Sequence, residues 1–314
     1  MWRHIVRVLK KVYAKIFPAS KHQVKKLAEE LQKEKEELKA EKKELKALLD
    51  EITEKSSHIL QVLQETNNTE NHRLKEIEDK VYKSEKNSYH ALLQSQEAVW
   101  AHIWHDSIKD SEWLQNISFS PGRWAVGYQC LYVLYRVLKE VHPNKILEMG
   151  LGQSTRLLGA YAAEYPDVSH EVVEHDGTWI SFFLKDTSNL KNTSIEKLEL
   201  MTGGFLDDDQ VTMYKGFETK FAGRKYNLIC IDSPFGGKAK KYARIDILRI
   251  LPDCLEDSFI ILIDDYNRSG EQEMVKRLET VLKDAGIKFS RGIYSGEKQL
   301  AVVTSEDWSF LCSL

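Results

Sequence analysis

A short segment in the middle of the chain carries residues that suit a ligand held by backbone groups. An apolar run ends in Glu148, glycines follow at Gly150 and Gly152, and the hydroxyl residues Ser154 and Thr155 come next. Glycines allow a positive φ and a close backbone approach that a Cβ would block. The free N–H groups at the start of a following helix would then face the ligand. The pattern predicts a nucleotide-like ligand at a strand-to-helix turn, with a plain turn as the alternative.

A second group consists of carboxylates that directly follow two apolar runs. Asp232 follows the run 227–231, and Asp264 and Asp265 follow the run 259–263. Three converging acids repel one another, and a divalent cation with oxygen ligands is one solution. Alternatively, basic residues pair with them and a raised pKa makes one acid a catalytic acid or base; the candidate cations are Arg268, Lys238 and Arg244. A purely structural cluster is the third interpretation.

From residue 145 onward, apolar β-branched runs alternate with helical periodicity, which predicts an α/β fold. The predicted strands are 145–149, 170–174, 195–200, 226–232, 258–264, 287–294 and 299–304. The predicted helices are 153–164, 178–187, 208–219, 239–251 and 270–285, and an amphipathic helix is predicted over 121–141 before the first strand. The central runs are apolar without alternation, as in strands covered on both faces. The order predicts a Rossmann-like, doubly wound, seven-stranded sheet with a C-terminal antiparallel hairpin.

Over residues 120–314 the chain resembles class I S-adenosylmethionine-dependent methyltransferases. The resemblance rests on the glycine segment that begins at Glu148, on Glu174 at the end of the second predicted strand, and on the αβ steps with a closing hairpin. It implies that the glycine loop holds the methionine and ribose parts of S-adenosylmethionine and that Glu174 binds the ribose hydroxyls. Ser154 stands where a third glycine is commonest, which resembles the variant of polysaccharide and small-molecule methyltransferases. The interval from Glu148 to Glu174 is 26 residues, a little longer than the roughly 20 residues of a dinucleotide-binding site. A nicotinamide cofactor therefore stays an alternative.

The resemblance assigns the candidate site residues. His175 is expected on the adenosine side of the cofactor, or else as a solvated loop residue. The cofactor-binding set is Glu148, Gly150, Gly152, Ser154, Thr155, Glu174, His175 and Asp232. The catalytic set is Asp232, Asp264 and Arg268, and the metal set, for Mg²⁺ or another divalent cation, is Asp232, Asp264 and Asp265. Metal-dependent small-molecule O-methyltransferases carry an Asp-Asn pair where this chain has Asp264-Asp265.

Two segments narrow the expected chemistry. Asp232–Gly236 is similar to the D-G/S-P-x-G segment of sugar-associated methyltransferases, and Asp264–Glu271 matches the acidic and R-x-G-E pattern found with it. The resemblance implies O-methylation of a sugar, glycan or other small-molecule hydroxyl. The D-P-P-Y motif of N-methyltransferases is matched in part, so N-methylation stays an alternative. A non-catalytic module on a coiled-coil scaffold and an aminopropyl-transferring enzyme are two others.

The N-terminal segment 1–18 predicts an amphipathic helix that lies on a membrane surface. Apolar residues recur at three- and four-residue spacing while the other face is basic, as in interfacial helices; the apolar set is Trp2, Ile5, Val6, Leu9, Val12, Tyr13, Ile16 and Phe17. Pro18 is predicted to end the helix. No apolar run is long enough to span a bilayer. A helix docked on another protein and a transit peptide are the alternatives.

Segment 19–95 predicts a coiled-coil stalk that self-associates. Apolar residues occupy every seventh position, as a heptad requires: Val24, Leu31, Leu38, Leu45, Ile52 and Ile59. Half of the intervening positions are apolar, and residues 21–56 hold ten basic and ten acidic residues, as suits helices joined by ion pairs. Thr66–Thr69 shifts the register, and a single solvated helix is the alternative. A helical connector is predicted over 96–143 and the catalytic domain over 144–314.

Charge and cysteine content limit the partners and the compartment. Residues 101–314 hold 25 Lys and Arg against 31 Asp and Glu, a net charge of −6, so we expect no nucleic-acid partner. The four cysteines show no close pairing, which fits a reducing cytosol. We therefore predict an enzyme on the cytoplasmic face of the cell membrane, with a small-molecule or glycan acceptor.

Overall fold

The computed structural model describes residues 2–16, 21–115, 117–187, 190–237, 239 and 241–314. The chain divides into two compact units, Met1–Ser84 and Glu85–Leu314. The first helix, α1, spans Trp2–Ile16, and Pro18, predicted to end it, lies outside the described residues. The second helix, α2, spans Lys21–Ile108 and continues through Thr66–Thr69, where the heptad register shifts. Within the described residues, no helix is both long enough and apolar enough to cross a bilayer.

The second unit contains one large sheet and a small one. Its helices are α3 (Tyr128–Glu140), α4 (Gln153–Glu164), α5 (Gly177–Asp186), α6 (Phe217–Lys220) and α7 (Ser269–Asp284). Its strands are β1 (Lys145–Met149), β2 (Ser169–Glu174), β3 (Thr193–Lys197), β4 (Leu200–Phe205), β5 (Asp208–Tyr214), β6 (Tyr226–Ile231), β7 (Leu255–Ile263), β8 (Phe289–Ser295) and β9 (Gln299–Ser305). Short 3₁₀ helices span Glu112–Leu114, Ile245–Arg249 and Glu306–Cys312.

The large sheet confirms the predicted Rossmann-like, doubly wound fold. Its seven strands run in the order β3-β2-β1-β6-β7-β9-β8. The first five are parallel, β9 runs antiparallel to β7, and β8 and β9 form the predicted C-terminal hairpin. The order of the strands reverses between β1 and β6, where a crevice opens at the carboxyl ends of such sheets.

Apolar side chains cover both faces of this sheet, which explains why its central strands read as continuous apolar runs. On one face, the side chains of Ile146 and Leu228 pack in a core with α3 and α4. On the other face, those of Leu147 and Ile229 pack in a core with α6 and α7. The C-terminal part of α2 belongs to the first core, because Trp104 is fully buried there.

Two predicted helices are wrong. Residues 208–219 form β5 and the short helix α6 instead, and β5 pairs antiparallel with β4 in the two-stranded sheet. Val211 and Met213 of β5 are both buried. This two-residue spacing of buried side chains is that of a β-strand with one face against the core. Within 239–251, the described residues form a loop and the 3₁₀ helix Ile245–Arg249. Arg244 has a φ of 54°, a left-handed conformation that an α-helix does not accommodate.

Candidate active site

A cleft of about 590 Å³ opens at the carboxyl ends of β1, β2, β6 and β7, where the strand order reverses. Its volume lies within the range of small-molecule sites. The residues that line it come from separate loops: Trp124, Gly150, Leu151, Glu174, His175, Asp176, Trp179, Asp232, Ser233, Phe235, Arg244, Asp265 and Arg268. The fold thus brings the glycine loop, the second-strand carboxylate and part of the acidic cluster into one cleft.

The geometry predicted for the glycine loop is present at Gly150 but not at Gly152, whose φ is −171° and where an added Cβ would meet no atom within 4 Å. Gly150 has a φ of 109°, and a Cβ there would lie 3.0 Å from the Cβ of Ser233, so a side chain would be strained and crowded. Gly152 precedes α4, and its N–H donates to the Thr155 hydroxyl at 2.8 Å. Ser154 and Thr155 are buried outside the cleft lining. Thr155 therefore holds the shape of the loop, and the loop backbone faces the cleft.

Glu174 connects the loop that follows β1 with the loop that follows β2. One carboxylate oxygen accepts from the backbone N–H of Leu151 at 3.2 Å, and the other accepts from those of His175 and Asp176 at 2.7 and 2.9 Å. The His175 Nδ1 atom lies 2.8 Å from the same carboxylate. Trp179 donates from its indole N–H to the Leu151 carbonyl at 2.7 Å. Since a carboxylate oxygen can accept more than one hydrogen bond, the oxygen bonded to Leu151 keeps capacity for a ligand hydroxyl.

Glu148 does not line the cleft. Its side chain is 1% exposed, and its carboxylate lies 3.0 Å from Nε2 of the buried His170 on the neighbouring strand β2. The other ring nitrogen of His170 lies 3.1 Å from the Thr193 hydroxyl on β3. The structure therefore places the first acidic residue of the glycine segment in a polar contact across the sheet.

The acidic cluster forms as predicted, and protein cations surround it. Carboxylate oxygens of Asp232, Asp264 and Asp265 lie within 4.8 Å of one another. Arg244 is 2% exposed, and its Nη2 atom lies 3.1 Å from Asp232 and 2.7 Å from Asp265. The Lys298 Nζ atom lies 3.3 Å from Asp264 and 3.4 Å from Asp265. These contacts realise the alternative in which basic side chains pair with the acids.

Further contacts complete the charge balance around the cluster. Arg268 lies 2.7 Å from Asp265, and Arg244 lies 3.6 Å from a fourth buried acid, Glu271. Arg244 also donates to the backbone carbonyl of Asp264 at 2.9 Å. The other candidate cation, Lys238, lies outside the described residues. The buried guanidinium of Arg244 is therefore the central counter-ion of the cluster.

The three acids differ in their pKa values. Burial raises the pKa of Asp232 to about 7, Arg244 opposes this rise, and Asp264 adds to it. Burial also raises the pKa of Asp264. Burial acts in the same direction on Asp265, but the nearby cations Arg244, Lys298 and Arg268 outweigh it and lower the pKa of that carboxyl. Asp232 keeps 26% of its side chain exposed, so it combines solvent access with a pKa suited to a general base.

Sequence reasoning did not find Lys298. It lies in the turn between β8 and β9, which α2 holds in place. Glu97 accepts from the Glu297 backbone N–H at 3.0 Å, and the Trp100 indole donates to the Ser295 carbonyl at 2.8 Å. Nothing in the local sequence marks this lysine, because its partners Asp264 and Asp265 are more than thirty residues away. The only usable signal was the predicted edge hairpin beside the fifth strand.

The acidic cluster does not fit a divalent ion in this arrangement. Mg²⁺ needs oxygen ligands around a position free of competing positive charge. Arg244 lies against both Asp232 and Asp265, and Lys298 lies against both Asp264 and Asp265. The two side chains already supply the charge that a divalent ion would bring.

We expect Mg²⁺ to produce no saturable heat when it is titrated into the purified protein. The Lys298→Met variant should gain Mg²⁺ affinity, because removing one cation leaves Asp264 and Asp265 under-compensated. Isothermal titration calorimetry of both proteins checks this. Saturable Mg²⁺ binding to the unmodified protein that disappears in Asp265→Asn would contradict it.

No protein-family model matches this chain, and no curated protein matches it. Solved structures with a similar fold include methyltransferases. An O-methyltransferase from Bacillus cereus in complex with SAH is 13% identical, with 68% of this chain and 91% of that chain covered and a TM-score of 0.38. An SAH-bound methyltransferase from Podospora anserina is 15% identical, with 66% and 88% covered and a TM-score of 0.39. At these values the likeness supports no functional inference by itself.

Proposed function

We propose that this chain is an S-adenosylmethionine-dependent O-methyltransferase that acts on a hydroxyl of a sugar, glycan or other small molecule. One observation carries the proposal. The cleft at the strand reversal joins a cofactor-shaped glycine loop and the buried Glu174 to the partly exposed carboxylate of Asp232. The residues that would hold the cofactor and the residue that would accept a proton thus line the same cleft.

Different residues of the cleft would bind the cofactor and transfer the proton. The backbone of Gly150 and Leu151 and the carboxylate of Glu174 would hold S-adenosylmethionine. When bound, this cofactor supplies an electrophilic methyl group and leaves with the electron pair of the broken C–S bond on sulfur. The protein must then align the acceptor hydroxyl and remove its proton. Asp232 takes that proton, while Arg244 and Lys298 keep the neighbouring carboxylates in place.

We expect S-adenosylhomocysteine to bind the full-length protein with micromolar affinity and the Glu174→Ala variant to lose that affinity. Glu174 both orders the loop at Leu151 and offers the remaining acceptor site for ribose hydroxyls. Calorimetry measures both effects. The control is Glu199→Ala, which removes an exposed carboxylate outside the cleft lining. Binding that survives in Glu174→Ala would overturn the assignment of the loop, and absence of binding to the unmodified protein would overturn the methyltransferase proposal.

We also propose that the first unit self-associates as a coiled coil. The apolar heptad residues of α2 are exposed. For example, Leu31, Leu38 and Leu45 are 64, 68 and 70% exposed. Burying these side chains in a second copy of the chain would remove apolar surface from water. Sedimentation equilibrium should report an oligomer, and Leu38→Glu with Leu45→Glu should convert it to a monomer. A monomeric unmodified protein would refute this.

The membrane proposal rests on α1. Its apolar residues Trp2 and Leu9 are 80% and 60% exposed, and Asp and Glu are absent from the helix. Such a helix suits the surface of an anionic membrane at its cytoplasmic side. We expect co-flotation with phosphatidylglycerol vesicles, weaker co-flotation with phosphatidylcholine vesicles, and loss of binding in Leu9→Glu. Equal recovery of Leu9→Glu with the anionic vesicles would exclude this role.

A further inference from the structure

Two exposed aromatic side chains form one wall of the cleft. Trp124 is 81% exposed and Phe235 is 49% exposed, and their ring centroids lie 5.7 Å apart with the planes inclined at 58°. Both line the cleft that contains Asp232. Large aromatic surfaces bury much apolar area when they are covered. A pair left open at the mouth of a polar cleft therefore suits a ligand with an apolar face.

The backbone around Trp124 is anchored to the catalytic residues. The Ala125 carbonyl accepts from Lys298 Nζ at 2.9 Å, the same ammonium that contacts Asp264. The Ser120 backbone N–H donates to the side chain of Gln153, the first residue of α4, at 2.8 Å. These bonds fix the loop 120–125, which carries Trp124, relative to both the acidic cluster and the glycine loop.

The second ring is held from the other side. Phe235 follows Asp232 in the loop after β6, and the guanidinium of Arg268 lies 5.8 Å from its ring centroid. Arg268 is itself paired with Asp265. A cation over one aromatic face is attracted by the ring quadrupole. The aromatic wall is therefore tied to the acidic cluster through both of its rings.

The charge of the cleft limits what it can accept. Its lining holds four carboxylates, Glu174, Asp176, Asp232 and Asp265, and two arginines, Arg244 and Arg268. Both arginines are already paired with carboxylates. Among the described lining residues, no arginine or lysine is therefore left without a carboxylate partner, and His175 lies against Glu174. The excess negative charge suits a cationic sulfonium cofactor together with a neutral partner.

We propose that Trp124 and Phe235 form an acceptor subsite for a neutral, ring-shaped polyol of the pyranoside class. The apolar face of the ring packs on the two aromatic side chains, and one hydroxyl points toward Asp232. The geometry favours neutral glycosides over sugar phosphates and other anionic acceptors. This inference rests on the proposed methyltransferase function, since it uses the same cleft.

The test uses the full-length protein saturated with S-adenosylhomocysteine. The probes are the methyl glycosides of glucose, galactose and mannose, with the monophosphates of the same sugars as anionic counterparts. Saturation-transfer NMR detects weak contacts between protein aromatic protons and ring protons of the sugar. We expect at least one neutral glycoside to give a clear signal and its phosphate to give a weaker one.

Variants assign the signal to the subsite. Trp124→Ala and Phe235→Ala should each reduce it by about fivefold or more, the weakening expected from about 1 kcal/mol of lost aromatic contact. Phe310→Ala, which removes an exposed aromatic ring outside the cleft lining, should leave it unchanged. Circular dichroism checks that each variant is folded.

Three outcomes would overturn the proposal: no neutral glycoside contacts the loaded protein, the phosphates bind as well as the neutral sugars, or the signal survives in both cleft variants. Each leaves the methyltransferase proposal standing, because the preceding titration of S-adenosylhomocysteine tests that proposal separately. Failure of that titration would overturn both.

Discussion

Replacing Arg244 with methionine should lower the free energy of unfolding by about 3–5 kcal/mol, the cost of leaving buried charges without their partner. Arg244 is 2% exposed and lies against Asp232, Asp265 and Glu271. Methionine fills much of the space but cannot neutralise three carboxylates in a site of low dielectric constant. Urea unfolding monitored by tryptophan fluorescence measures the change.

The pH dependence of this defect separates lost charge from lost packing. In Arg244→Met the folded-state pKa values of the unpaired carboxyls should rise above their unfolded values, so protonation stabilises the variant. The stability gap between the variant and the unmodified protein should therefore narrow as pH falls from about 8 to about 5. Adding Asp265→Asn to the variant should restore part of the stability, and Arg277→Met, on α7, serves as a control. A gap that does not vary with pH would contradict the counter-ion role.

Replacing Asp232 with asparagine should slow methyl transfer to a neutral glycoside acceptor by about 10²–10⁴-fold, the range of general-base contributions. Asparagine occupies a similar volume but cannot accept the hydroxyl proton. The affinity for S-adenosylhomocysteine should change by less than about threefold, a free-energy change below about 0.7 kcal/mol, because the glycine loop and Glu174 remain intact. A radiolabelled methyl-transfer assay and calorimetry give the two values.

The rate of methyl transfer by the unmodified protein should depend on pH as the titration of Asp232 requires. Burial raises the pKa of Asp232 to about 7, so the carboxyl is protonated and inactive as a base below that value. The rate should rise as pH increases through about 7 and level off above it. The groups facing Asp232 are Arg244, Lys298, Asp264 and Asp265, and their charges set the midpoint. The exposed Asp253→Asn should retain the normal rate and profile; a similar loss there, or a fully active Asp232→Asn, would contradict the assignment.

Part of the fold was predictable because its signals are local. Strands β6 and β7 end in unbroken apolar runs, 228–231 and 259–263, and an unbroken run of that length indicates a strand with both faces covered. The hairpin of β8 and β9 followed from a connection too short to hold a helix. The segment 208–219 was mispredicted because its apolar spacing also fits a helix, and packing of Val211 and Met213 against the second core selected the strand.

The sequence by itself determined that three carboxylates lie at the same edge of the sheet. Asp232, Asp264 and Asp265 end apolar runs, and parallel strands present their carboxyl ends on one side of a sheet. The position of Gly150 was equally local, since a tight turn with a φ of 109° strongly favours glycine.

Only the tertiary structure decided which charges meet. Glu148 contacts His170 on the neighbouring strand instead of the cleft, and the acidic cluster is neutralised by Arg244 from a loop and Lys298 from an edge turn. Side-chain direction and distance across separate strands settle such pairs, and no local pattern encodes them. Coulomb energy depends on the final separation and on burial, and both exist only once the chain has folded.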